Sequence, residues 1–310
     1  MKIGISPLVD LAFKLMLGSP LHTRITIHFL NSILVGQPRI TQVEILNPIL
    51  ERECDDDKLS VLDILATDER GRLLNIEMQT SLLSGMWQRL AYYVSTVYVG
   101  QLRGGEEYYE LRPAISICVL SEFVFAKSTD LHLDFRFREL SGRILTDDLQ
   151  IHLLQLRNLR VVGEELYTST PAERWAFFLK NADKLSCDEI RQIFPENEFF
   201  EAAGVLEMIS QTPQQLMLYN ARLKSQRDEF ARIEQTRIEI EQARLEIEQA
   251  RLEGEARGEA RGMTIGRLAV FRELLGLQTF TTAELAAYED AQLIEMAEQL
   301  QGQLRTRRES

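Results

Sequence analysis

Cysteine is scarce. Cys54, Cys118 and Cys187 are the only three in 310 residues, widely spaced and without a CxxC pair. That spacing excludes a disulfide framework and a thiolate zinc site, and it reads as reduced thiols in a cytoplasmic protein. Histidine is nearly as rare. His22, His28, His132 and His152 show no ligand spacing, and His22 and His28 cannot share a helix face at i, i+3 or i+4, so structural or solvent-facing roles are expected. No apolar run reaches the roughly 18 residues of a membrane span, and the start MKIGISPLVD lacks the apolar stretch of a signal peptide. An excess of basic charge is missing too. The formal net charge is −12, which argues against broad electrostatic attraction to nucleic acid. Residues 1–160 hold 17 Lys and Arg against 20 Asp and Glu, so this half is near neutral, and DNA binding there is allowed but not announced by composition.

What is present is the composition of a folded chain, 45% hydrophobic and 26% charged, long enough for a main domain with further elements. Its most informative stretch is KLSVLDILATDERGRLLNIEMQT, residues 58–80. Two apolar runs flank Asp68-Glu69-Arg70-Gly71, the pattern of a strand, a tight turn and a strand. A type I turn closed by a left-handed glycine pairs Asp68 with Arg72 and sets Asp63 directly opposite Glu77. Alternation puts Asn75, Glu77 and Gln79 on one face and Leu74, Ile76 and Met78 on the other. Two carboxylates then oppose one another, roughly 5 Å apart at Cβ, in otherwise apolar strands. A divalent cation resolves that conflict, since hard oxygen ligands suit Mg²⁺ or Mn²⁺. So does an edge hairpin with a wet polar face. The pattern alone leaves both open.

Asp63 followed by Glu77-Met78-Gln79 after a hairpin resembles the active-site motif of the PD-(D/E)XK nuclease superfamily, with glutamine where lysine is usual. VDLAFKLMLG (9–18) and WQRLAYYVSTVYVGQLRGGEEYYELRPAISICVL (87–120) extend the likeness. Together they resemble the Rpn family of recombination-promoting nucleases and transposases, over about the first half of the chain and in the right order. The resemblance implies a metal-dependent DNA endonuclease acting in recombination, transposition or on mobile DNA. Asp63, Glu77 and Gln79 would be catalytic, and Asp63 and Glu77 would hold Mg²⁺ or Mn²⁺ with a backbone carbonyl near Met78. It also makes Asp10 a candidate outer metal ligand, although any helix start favours such an acid. Arg89, with Lys14, becomes a candidate DNA contact, against the alternative of a surface salt bridge. Charge missing at Gln79 would come from Lys14, Arg89 or Lys58. A catalytically degenerate nuclease fold, serving as a DNA-associated or assembly module, is the competing reading.

Taken in order, the pattern predicts helices over Pro7–Leu17, Leu21–Leu34 and Leu82–Leu102, and strands over Ile40–Leu50, Pro113–Leu120, Leu131–Phe137 and Leu149–Leu156, besides the hairpin. Asp55-Asp56-Asp57 reads as a solvated turn. LHLDFRF should turn its leucines and phenylalanines inward. The expected fold is α/β, a three-layer restriction-endonuclease-like core with a mixed sheet over 1–160, followed by an all-α half. That half divides into a helical subdomain (161–212), a long helix or short coiled coil (213–262) and a small helical C-terminal domain (263–310). Ile233, Ile240 and Ile247 take heptad position a, with Thr236, Ala243 and Ala250 at d. GEARGEARG (254–262) reads as a frayed or flexible link, because each glycine costs a helix about 1 kcal/mol. Thr281-Thr282-Ala283-Glu284 fits a capping box. Homo-oligomerisation through the helical half is expected.

Overall fold

The computed structural model of the chain describes residues 1–46, 63–80, 85–121, 128–161 and 163–309. Cys54, Asp55-Asp56-Asp57, Lys58, the latter part of the 40–50 strand and the first residues of the 82–102 helix lie outside the described residues.

The central hairpin forms in the expected register. Strands β2 (Ile64–Asp68) and β3 (Leu73–Gln79) pair antiparallel, Ile64 with Ile76 and Thr67 with Leu73. The Gly71 N–H donates to the Asp68 carbonyl at 2.9 Å and the Asp68 N–H to the Arg72 carbonyl at 3.2 Å. Gly71 takes φ +75°, a conformation that a side chain would make unfavourable by about 1 kcal/mol or more. The Asp68 side chain then locks the turn. Its Oδ1 accepts from the backbone N–H groups of Arg70 and Arg72, and its Oδ2 from Arg72 Nε at 2.7 Å. Both members of this ion pair are buried. The Arg72 guanidinium donates onward to Gln37 Oε1 and the Pro38 carbonyl, so each of its three nitrogens makes a hydrogen bond, the kind of support a buried charge needs.

The sheet has six strands in the order β1-β2-β3-β4-β6-β5, with β1 Val43–Ile45, β4 Ala114–Leu120, β5 His132–Arg138 and β6 Ile144–Gln155. The pairs β1–β2, β2–β3 and β5–β6 are antiparallel, while β3–β4 and β4–β6 are parallel. β4 reads AISICVL and is buried at every position, as befits a strand covered on both faces. Leu74, Ile76, Met78, Ile115, Ile117 and Val119 face one large core, shared with helices α1 (Asp10–Leu17) and α2 (Thr23–Ile33). Cys118, Leu120 and Leu153 face the other way, against Met86 and Leu90 of α3 (Met86–Val99). Period-two alternation thus yields three layers, helix, sheet and helix.

Residues 161–212 supply α4 (Pro171–Asn181), α5 (Cys187–Ile193) and α6 (Asn197–Gln211). They contribute to that same large core and do not form a separate one. Trp175 meets Phe29 and Phe199 ring to ring, and its indole N–H donates to His28 Nδ1 at 3.1 Å. Capping boxes at Thr170–Glu173 and Ser186–Glu189 start α4 and α5.

Two expectations are corrected. Phe135 and Phe137 of β5 are 42% and 54% exposed, not inward-facing. β5 is an edge strand, and a bulge between Arg136 and Arg138 breaks the alternation there. The second concerns residues 254–262, which do not interrupt the helix. α7 runs unbroken from Pro213 to Leu275. Glutamate, alanine and arginine are strong helix formers that offset the glycines, and Arg257 and Arg261 are both tied to Asp290.

By internal contacts the chain divides into two compact units, 1–230 and 231–310. In the second, α8 (Thr282–Ala286) starts at a capping box of Thr281 and Glu284, as expected. α9 (Asp290–Glu309) packs Leu293, Ala297 and Leu300 with Leu268 of α7. Among the described residues, no helix is long and apolar enough to cross a membrane.

Candidate metal and active site

Glu77 sits in the middle of the sheet, paired across β4 with Cys118. Its neighbours at i−2 and i+2, Asn75 and Gln79, share its face by alternation. Asn75 Nδ2 donates to Glu77 Oε1 at 2.9 Å. Glu77 Oε2 and Asn75 Oδ1 are buried and, among the described residues, have no hydrogen-bond partner. Two orphaned oxygens on one strand face are an unstable arrangement in a dry protein, where each leaves a desolvation penalty of about 1–3 kcal/mol unanswered.

Asp63 directly precedes β2 and stands beside this pair. Its Oδ2 accepts the Met78 backbone N–H at 3.0 Å, which extends the hairpin one step beyond its last ladder position. Lys14 of α1 reaches the same carboxylate, with Nζ 3.3 Å from Asp63 Oδ1 and 3.0 Å from Asp10 Oδ1. Asp10 therefore meets Asp63 through the lysine, and its side chain is the more exposed of the two.

The electrostatics follow from burial. Asp63 is pushed above the ordinary carboxylate value first by loss of water, which Lys14 and the Met78 N–H only partly offset. Glu77 is raised by burial, relieved by the Asn75 hydrogen bond, raised again by the charge on Asp63 and relieved by Arg89. For Lys14, burial works against the ammonium, yet the fields of Asp63 and then Asp10 outweigh it and its pKa is raised. Cys118 is driven well above the usual thiol range by burial and by Glu77, so it stays neutral and adds no charge to the site.

A divalent cation fits this donor set. It would answer the orphaned Glu77 Oε2, lower both raised carboxylates and accept oxygen donors only, the chemistry Mg²⁺ and Mn²⁺ prefer. Among the described residues no group of three or more His, Cys, Asp and Glu side chains could hold a metal. A cation placed here would draw on the Asp63–Glu77 pair, with an amide or backbone oxygen as a third ligand. Asn75 Oδ1 is the side-chain oxygen best placed for that, a residue to which strand alternation assigns a face but no role. Its signal was there, two positions before Glu77 on the same side of the strand.

The other expected residues divide. Gln79 ends β3 half-buried, and its carbonyl accepts from Ser121 N–H at 3.1 Å. Arg89 lies on α3, its guanidinium 5.2 Å from the Tyr93 ring centroid, exposed yet near enough for its charge to act on Glu77. Lys14 is inside the site, held by carboxylates, and Lys58 lies outside the described residues. α1 and α3 thus bring one cation each from opposite layers of the sheet. The histidines lie apart from this site. His132 and His152 stack with centroids 5.2 Å apart, a proximity across β5 and β6 that their sequence spacing conceals.

Residues 7–236 match the family described as PD-(D/E)XK nuclease family transposase. Among curated proteins, and among solved structures, nothing matches the chain.

Proposed function

The chain belongs to the PD-(D/E)XK nuclease family transposases, and on that premise we propose that it is a metal-dependent DNA endonuclease acting in recombination, transposition or on mobile DNA. The observation that carries this reading is the buried Glu77 Oε2, unpartnered among the described residues, beside a second, partly buried carboxylate, Asp63. Asp63 and Glu77 would hold Mg²⁺ or Mn²⁺, with Asn75 Oδ1 or a backbone oxygen near Met78 completing the protein ligands. Bound there, the ion supplies Lewis-acid polarisation of a phosphate and a lowered pKa for an attacking water. Gln79 donates or accepts a hydrogen bond to orient that water or the scissile phosphate, and as a neutral amide it adds no charge. Lys14 supplies the positive charge that Gln79 lacks, stabilising the developing anion. Arg89 holds the DNA backbone from the α3 side. The helical C-terminal half serves as an assembly arm between copies of the chain, and the setting is cytoplasmic.

A second reading is a nuclease fold without catalysis, acting as a DNA-associated or assembly module. One observation favours it: glutamine stands where lysine is usual, and the cation nearest the carboxylates is already engaged by Asp10 and Asp63. Calorimetric titration of Mg²⁺ and Mn²⁺ into the full chain separates the two, beside an Asp63→Ala/Glu77→Ala control and followed by cleavage of supercoiled plasmid. The nuclease reading expects binding and cleavage that both vanish in the control. Absence of both from well-folded wild-type protein would establish the second reading instead.

A further inference from the structure

Residues 233–253 of α7 read IEQTRIE, IEQARLE, IEQARLE, three heptads in one phase with no insertion. Isoleucine occupies every a position and Thr236, Ala243 and Ala250 the d positions. Ile240 is 52% and Ile247 69% exposed, so among the described residues this part of the seam lies largely open within its own unit. A second stripe, Ile238, Leu245 and Leu252, is also about half exposed on another side of the helix. Exposed apolar residues at heptad spacing call for a partner helix. The charges beside each stripe decide which stripe, which partner and which direction.

Beside the isoleucine seam, every e position is arginine (Arg237, Arg244, Arg251) and every g position glutamate (Glu239, Glu246, Glu253). In a parallel two-stranded coiled coil, g of one helix meets e of the next heptad on the other. Two copies of this chain then place Glu239 against Arg244 and Glu246 against Arg251, in both directions. An antiparallel pair instead sets g against g and e against e, glutamate on glutamate and arginine on arginine. The other stripe is the poorer seam, because its immediate neighbours are glutamates on one side (Glu241 and Glu248) and neutral glutamines on the other (Gln242 and Gln249), which gives no opposite charges to pair across it. β-Branched residues at a favour two strands, and alanine at d lets the helices approach closely.

We propose that residues 233–253 form a parallel, in-register homodimeric coiled coil through the Ile233/Ile240/Ile247 seam, with Glu–Arg pairs fixing its direction. The proposal rests on the assembly role given above to the helical half and is independent of the nuclease chemistry. A parallel pair brings both chains into the coil at the same end.

The test uses the full chain with Cys54→Ser and Cys187→Ser, carrying Ile240→Cys or Ile247→Cys. Each variant alone should oxidise to a covalent dimer, and sedimentation should show a dimer before oxidation. A dimer by sedimentation in which neither variant crosslinks alone would mean antiparallel or staggered pairing and overturn the proposal. A monomer, or a higher oligomer, at tens of micromolar would also overturn it. As a folding control, reversing the three glutamates to arginine in one chain and the three arginines to glutamate in another should each weaken self-association by about tenfold or more, and mixing the two should restore a dimer. Metal binding on the same samples reads the nuclease function separately, so a failed coil leaves that reading standing.

Discussion

Lys14 Nζ lies 3.3 Å from Asp63 Oδ1, so the cation nearest the candidate metal ligand comes from the first helix and not from the strand that carries Glu77. The motif position that usually holds lysine is neutral here, and the charge enters from another layer of the fold.

Lys14→Met is therefore expected to separate two quantities that move together for an ordinary ligand. Removing an ammonium that competes for Asp63 should tighten Mn²⁺ binding by about tenfold, as expected for one unit charge at short range in a partly buried site. Plasmid cleavage should fall by about 100-fold. Calorimetry and single-turnover cleavage on one preparation check both. A variant that binds metal and cleaves like wild type would reduce Lys14 to a structural ion pair.

Glu77→Gln should abolish metal binding while raising the stability of the metal-free protein by about 1 kcal/mol, because a buried, half-satisfied charge is replaced by a neutral amide. The pH dependence has a definite sign. Asp63 and Glu77 have folded pKa values raised above their ordinary 3.8 and 4.5. Their protonated forms therefore favour the fold, and that contribution is lost as pH rises through the folded values. Thermal melts of metal-free wild type should show this loss from about pH 4.5 upward, and Glu77→Gln should flatten it. Adding Mg²⁺ at ten times its Kd should restore about 1.4 kcal/mol at neutral pH.

The hairpin turn should prove a matter of stability alone. Arg72→Met leaves Asp68 buried without its partner, an imbalance worth about 3–5 kcal/mol. Gly71→Ala forces a side chain into φ +75° with Arg112 Cγ only 3.4 Å from the new Cβ, a strain of about 1–2 kcal/mol. Urea unfolding should report both losses. Unchanged Mn²⁺ affinity in the folded fraction would confirm that the turn supports the site without joining it.

Acid should destabilise the protein through β5 and β6. Burial, opposed by Asp134 and helped by the neighbouring His132 and Arg136, lowers the pKa of His152 to about 4. His132 is lowered by burial too. A histidine whose folded pKa lies below its unfolded value is neutral in the fold and takes up its proton on unfolding. Stability is then lost as pH falls from about 6.5 toward 4, by about 2–3 kcal/mol for His152. His152→Gln should give a shallower acid limb in a plot of Tm against pH.

The hairpin was legible because its signals are local. Gly71 dictates the turn, the turn dictates the register, and the register dictates that Asp63 faces Glu77. β4 was legible from its unbroken apolar run. What stayed hidden was set by other elements: Trp175 and Phe199 join the nuclease core because α4 and α6 pack on α1 and α2, which no window of sequence contains. Phe135 and Phe137 were misread because alternation says which residues share a face and not whether anything covers it. Residues 254–262 were misread because glycine was weighed singly, while Asp290 on a different helix holds their arginines. Asn75 was placed correctly and left without a role, since only the fold shows which of its neighbours is unsatisfied.

One backbone proton makes the site observable. The Met78 amide is bound to Asp63 Oδ2, so its exchange with solvent is governed by a carboxylate that is also a candidate ligand. A cation drawing on Asp63 changes the protection of that single amide while its ladder neighbours at Ile76 and Leu74 keep theirs. The nuclease hairpin thus carries its own spectroscopic gauge of occupancy, readable by amide hydrogen exchange without DNA and without turnover.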